Sequence, residues 1–167
     1  MVFALVRRKL QLAGKHISLD PFQHSISKDV GIIQLKSRGL DKEVEFREEC
    51  SAHFLVHAAE EQRNFDFIFV DGDHSVAAKI TDAYLGNSVL KPGGVIAFHD
   101  SLFESTSIAV TWLLKDRGYR LLPLACEPKW KILARAVRHF RRLGFYYSYN
   151  VVPRLAFSIA VLRKPAS

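Results

Sequence analysis

Two short stretches constrain this chain more than anything else in it. Phe65-Asp-Phe-Ile-Phe-Val70 is apolar at nearly every position, and Val95-Ile-Ala-Phe98 repeats the pattern further on. A strand apolar on both faces suits a parallel sheet covered by helices on its two sides. Between the stretches, Ser75 can cap a helix that carries Val76, Ile80, Ala83 and Tyr84 on one face. Lys91-Pro-Gly-Gly94 then reads as a turn. Strand, helix and strand at this spacing predict a βαβ unit.

The rest of the chain alternates in the same way. Val2, Val6, Leu10 and Ala13 predict an amphipathic helix ending near Gly14. His16-Ile-Ser-Leu-Asp20 is a short strand stopped by Pro21. Val30, Ile33 and Leu40 fall on a helix closed by Gly39, and Val44-Glu-Phe46 is a further strand. Ser51 can cap a helix with Phe54, Leu55, Ala58 and Ala59. Ile108, Trp112 and Leu113 predict a helix ending at Gly118, followed by the strand Tyr119–Leu122. Phe157–Leu162 is the last strand. The fold class is therefore α/β, with a mostly parallel sheet and helices on both faces.

Composition excludes several alternatives. A chain of 167 residues with 49% hydrophobic and 25% charged residues can bury the core of one domain. Cys50 and Cys126 form neither a CxxC nor a metal-finger spacing. No apolar run reaches the ~18 residues of a membrane span, and Arg7-Arg8-Lys9 follows the apolar start where a signal peptide needs its charge first. The reading is a cytoplasmic protein. The net charge of +7 is unevenly spread: residues 1–127 carry 15 basic and 17 acidic groups, whereas residues 128–167 carry nine basic groups and no acidic one. That distribution argues against a nucleic-acid binder.

In sheets of this kind the ligand site lies beyond the carboxyl ends of the strands. The residues there are Asp20, Asp71-Gly-Asp-His74 and His99-Asp100. If the two strong strands are neighbours, three carboxylates and two imidazoles meet on one rim. Like charges so close repel unless a cation sits between them. Carboxylate oxygens suit Mg²⁺ or Mn²⁺, and imidazole tolerates Mn²⁺ or Fe²⁺ better than Mg²⁺. A histidine there can also act as a general base. The plain structural alternative is that these are polar strand ends capping the next helices. Asp20 can accept hydrogen bonds from two ribose hydroxyls, or serve only as the turn residue before Pro21.

Phe65–His74 and Leu90-Lys-Pro-Gly-Gly-Val-Ile-Ala-Phe-His-Asp100 resemble the class I S-adenosylmethionine-dependent methyltransferases, in the branch with a DGDH loop and an LKPGG…HD strand. His16–Gln23 is similar to that family's second strand and its ribose-binding acid. The resemblance implies a Rossmann-like sheet with an antiparallel last strand, S-adenosylmethionine as cofactor, and O-methyl transfer to a small molecule. It implies Asp20 at the ribose and Cys50 and Ser51 beside the adenine. Asp71 would be a cofactor, metal or substrate ligand, joined in a metal set by Asp73, His99 and Asp100, with Mg²⁺ or Mn²⁺ as the ion. His74, with Asp71, would be catalytic, as the base near the acceptor hydroxyl. The family's first strand and glycine-rich loop should precede Asp20, yet the only glycine there is Gly14. The chain thus reads as a family member shortened at its N-terminus, with its first strand missing and without the cofactor loop that catalysis needs. Residues 1–127 form the incomplete core, and residues 128–167 complete the same domain with a basic helix and the last strand.

On 130–143, Trp130, Leu133, Val137 and Phe140 share one face and Lys131, Arg135, Arg138 and Arg142 another. This segment is a packed helix with a solvated basic face, a lid over an anionic methyl acceptor, or a membrane-surface helix. Two further functions compete. Asp71-Gly-Asp73 is also the DxD pattern of a metal-dependent nucleotide-sugar transferase. Alternatively the chain is a non-catalytic remnant that pairs with a partner, or forms a homo-oligomer, through an exposed sheet edge.

Overall fold

The computed structural model describes residues 1–101, 103–122 and 159–166. The predicted basic helix 130–143, Cys126 and the first residues of the predicted last strand lie outside them. The chain divides into two compact units, Met1–Phe54 and Leu55–Ser167.

The first unit holds helix α1 (Val2–Leu10), strand β1 (His16–Leu19), helix α2 (Val30–Ser37), a single 3-10 turn at Asp41–Glu43, strand β2 (Val44–Arg47) and the start of helix α3 (Ser51–Glu60). β1 and β2 pair in parallel, from His16 opposite Val44 to Leu19 opposite Arg47. Two expectations shift here. Leu40 is not on α2: that helix stops at Ser37, Gly39 takes a left-handed φ of 61°, and Leu40 is fully buried beyond it. Only Ala4 of α1 is buried, and the exposed Arg8 ties the helix to the rest of its unit, donating to the Gly39 carbonyl and pairing with Glu43 at 3.2 Å. Its apolar stripe faces out, with Val2 66% and Leu10 60% exposed.

The second unit holds most of α3, then strand β3 (Phe65–Val70), helix α4 (Val76–Val89), strand β4 (Leu90–His99), helix α5 (Glu104–Asp116) and strands β5 (Arg120–Leu121) and β6 (Ile159–Arg163). The sheet order is β3-β4-β6-β5. β3 and β4 are parallel, and β6 runs antiparallel to both of its neighbours. This is the mixed α/β sheet with a reversed last strand that the sequence predicts. Val70, Ile96, Phe98, Val110, Leu113 and Leu162 form its core with their neighbours.

β3 departs from expectation. Among the described residues it is an edge strand of its sheet, and Phe67 and Phe69 remain 43% and 36% exposed. Lys91-Pro-Gly-Gly94 is not a free turn either. It lies inside β4, where the register slips: Phe65 opposes Leu90, but Phe67 already opposes Val95. The extra residues form a bulge. Proline is tolerated there because the bulge removes the need for its missing N–H. Gly93 takes the left-handed φ of 74°, and its N–H donates to the Pro165 carbonyl. The Lys164 N–H donates to the Gly94 carbonyl, so the segment after β6 holds the bulge in the sheet.

Candidate active site

Because β3 and β4 are parallel neighbours with Val70 opposite Phe98, the loops that follow them open on one rim. Asp71 leaves β3 there, and His99 and Asp100 end β4. His99 Nδ1 lies 2.9 Å from an Asp71 oxygen and 3.1 Å from an Asp100 oxygen. The nitrogen is shielded from solvent, yet its geometry gives a hydrogen bond to neither carboxylate. One donor atom from each of the three residues falls within 4.8 Å of the other two. Asp100 adopts a left-handed φ of 52°, a region that aspartate tolerates better than most residues, and its carbonyl accepts the Phe103 N–H.

His74 borders this group. Its Nε2 lies 3.6 Å from Asp100, and its ring stacks on Phe103 with centroids 5.2 Å apart. Sequence reasoning did not find Phe103; its exposure beside a strand-end histidine is visible only in three dimensions. Asp73 is turned elsewhere. Its carboxylate accepts the Ser75 N–H at 2.7 Å, while Ser75 caps α4 by accepting the Ala78 N–H. Asp73 does not belong to the donor set formed by Asp71, His99 and Asp100. Behind the loop, the fully buried Lys79 reaches the Gly72 carbonyl at 3.4 Å. A lysine reads as a surface residue in a helical pattern, so the sequence carried no signal for it.

In the first unit, Asp20 follows β1 and Cys50 and Ser51 follow β2. These strands are parallel neighbours, so the three residues leave the same end of their sheet. Asp20 holds its own turn, its Oδ1 accepting the Phe22 N–H at 2.9 Å. Cys50 is exposed, and its carbonyl receives the Phe54 N–H; Ser51 opens α3 rather than preceding it. The same end carries a histidine that the sequence reading passed over. His24 pairs with Asp29 through Nδ1 and lies 3.5 Å from Glu48 through Nε2, tying the loop after β1 to the end of β2.

Residues 1–101 match a family model described as "Methyltransferase domain". The chain belongs to this family. Its fold is that of the class I S-adenosylmethionine-dependent methyltransferases. A methyltransferase homolog from Pyrococcus horikoshii superposes with a TM-score of 0.58 at 19% identity, over 90% of this chain and 53% of that one. A protein of Streptococcus mutans assigned as a SAM-dependent methyltransferase gives 0.60 at 13% identity, over 95% and 41%. A methyltransferase structure solved as its complex with SAH gives 0.59 at 14% identity, also over 95% and 41%. The chain thus spans about half the length of these structures or less, and at such identities the likeness establishes the fold. No curated protein matches the chain. No helix of the described residues is long and apolar enough to cross a membrane.

Proposed function

We propose that this chain serves S-adenosylmethionine-dependent O-methyl transfer to a small molecule, with the reacting groups at the rim of β3 and β4. The observation that carries this reading is the convergence of Asp71, His99 and Asp100 at the ends of two parallel strands, within a methyltransferase-family fold. Asp20 would hold the cofactor ribose through the carboxylate oxygen its own turn does not use, with Cys50 and Ser51 beside the adenine. Methyl transfer is an in-line displacement at carbon. The protein's part is to align the two reactants and to remove the acceptor's proton. His74 is the base in this reading, its ring fixed by Phe103 on one side and neighboured by Asp100 on the other.

The donor set fits a divalent cation. Ligands at ~2.1 Å in octahedral geometry stand ~3 Å apart, and the His99 nitrogen stands 2.9 and 3.1 Å from its two carboxylate neighbours. A shielded nitrogen without a hydrogen bond beside two carboxylates is the pattern a bound cation relieves. Two oxygens and one imidazole nitrogen suit Mn²⁺ or Fe²⁺ better than Mg²⁺. Asp71, His99 and Asp100 would hold the ion, and the ion would supply a positive field for an acceptor oxygen. An acceptor carrying negative charge is consistent with the nine basic residues of 128–167.

The nucleotide-sugar transferase reading needs Asp71 and Asp73 to act together, whereas Asp71 converges with His99 and Asp100 and Asp73 holds the Ser75 N–H. Thermal denaturation separates the two. S-adenosylhomocysteine should raise the Tm, and UDP-glucose should add nothing to the Tm measured with Mn²⁺ alone. The reverse result would overturn the methyltransferase assignment.

A further inference from the structure

Helices α4 and α5 present an unusual surface. α4 turns its only two charged residues inward: Lys79 is fully buried and Asp82 is 5% exposed. Its outward side carries no charge; Tyr84 stands 57% exposed, and Val76, about two turns before it and roughly 80° round the helix, is 46% exposed. A helix whose face toward water is uncharged and aromatic has the composition of an interface centre. α5 lies alongside. The Tyr84 and Trp112 rings are 6.1 Å apart, and Ile108 is exposed one turn before Trp112. Arg117 lays its guanidinium over the Trp112 ring at 4.9 Å. Tyrosine, tryptophan and arginine are the residues most often found carrying interface energy.

The charges around this patch are arranged for self-pairing. Glu104 lies one turn before Ile108, and Lys115 lies on the same side of α5 at its other end; both are exposed. Their spacing along the helix is about 16 Å at 1.5 Å per residue. Asp116 points roughly 100° round the helix from Lys115. Two copies of α5 laid antiparallel across a two-fold axis would set each Glu104 against the other copy's Lys115, with Ile108 and Trp112 at the centre. That is the isologous arrangement a two-fold dimer requires.

We propose that the chain forms a homodimer through the α4–α5 face, with Tyr84, Ile108 and Trp112 at its centre and Glu104 and Lys115 paired across the axis. This surface is made of helices, not of a strand, and the proposal does not rest on the methyltransferase reading. Light scattering coupled to size exclusion, at loading concentrations from low to high micromolar, tests it. The wild type should run at twice its 19.0 kDa. Tyr84→Lys changes an exposed residue and should weaken the dimer by about 30-fold or more, with an unchanged circular dichroism spectrum. Glu104→Lys or Lys115→Glu should each weaken it about tenfold, and the double variant should recover the wild-type mass profile. A monomeric wild type would overturn the proposal. So would a dimer that persists in Tyr84→Lys, since it would use another surface, or a double variant that fails to recover.

Discussion

His99 shows how a side chain acquires chemistry from its place in a fold. A histidine at the end of an apolar strand is ambiguous in sequence, since a strand end is polar in any case. The structure sets its Nδ1 between Asp71 and Asp100 without a hydrogen bond to either. His99→Ala should therefore abolish tight Mn²⁺ binding, measured by the loss of the free Mn²⁺ electron-paramagnetic signal on titration with protein. Asp73→Asn should leave that binding intact, because Asp73 holds the Ser75 N–H and lies outside the donor set. A different kind of residue is Tyr119, which is buried and donates from its hydroxyl to Asn87 at 3.0 Å. Burial pushes its phenol from 10.0 up to about 12, against a smaller opposing pull from Arg117. A raised folded-state value for an acid means that the neutral form is the one the fold favours. The stabilisation is full below pH 10 and is lost as pH rises through about 12. Tyr119→Phe should cost about 1 kcal/mol at neutral pH by urea denaturation, and should remove this part of the alkaline loss.

Secondary elements were largely legible from periodicity and caps, and the departures have physical causes. Ser75 marked the start of α4 correctly because an N-cap is a local device, requiring only the Ala78 N–H. Lys91–Gly94 was misread as a turn because proline and paired glycines favour one locally. Pairing by Gly93 and Gly94 to residues 164 and 165, far along the chain, keeps the segment within β4. At Gly94 a Cβ would meet the Lys91 carbonyl oxygen at 2.9 Å, which is backbone that cannot swing aside. Gly94→Ala should lower stability by about 1–3 kcal/mol in urea denaturation, whereas Gly72→Ala has open space and should be near neutral. The patterns also predicted which helix faces are apolar but not whether they are covered. Val76 and Tyr84 lie on the face the periodicity picks out and are exposed all the same, while Lys79 is the residue turned inward. Hydrophobic period reports amphipathicity; burial depends on which neighbours arrive.

At the scale of the whole chain, the alternation of strands and helices predicts the α/β class, the DGDH loop and LKPGG…HD strand carry the resemblance to methyltransferases, and the family match over residues 1–101 agrees. The sequence also read β3 as a strand covered on both faces, whereas among the described residues it is the edge of a four-stranded sheet, and β1 and β2 form a separate pair. Apolar content on both faces shows what a strand is suited to, and sheet order decides whether it is met. The central proposal is that the chain binds the cofactor, with Asp20 at the end of β1 as the ribose acid. Isothermal calorimetry with S-adenosylhomocysteine tests it most directly. The account predicts saturable binding of one ligand per chain, weakened about 10–100-fold in Asp20→Ala through loss of charged hydrogen bonds to the ribose. Absence of binding by the folded wild type, or an affinity that Asp20→Ala leaves unchanged, would contradict it.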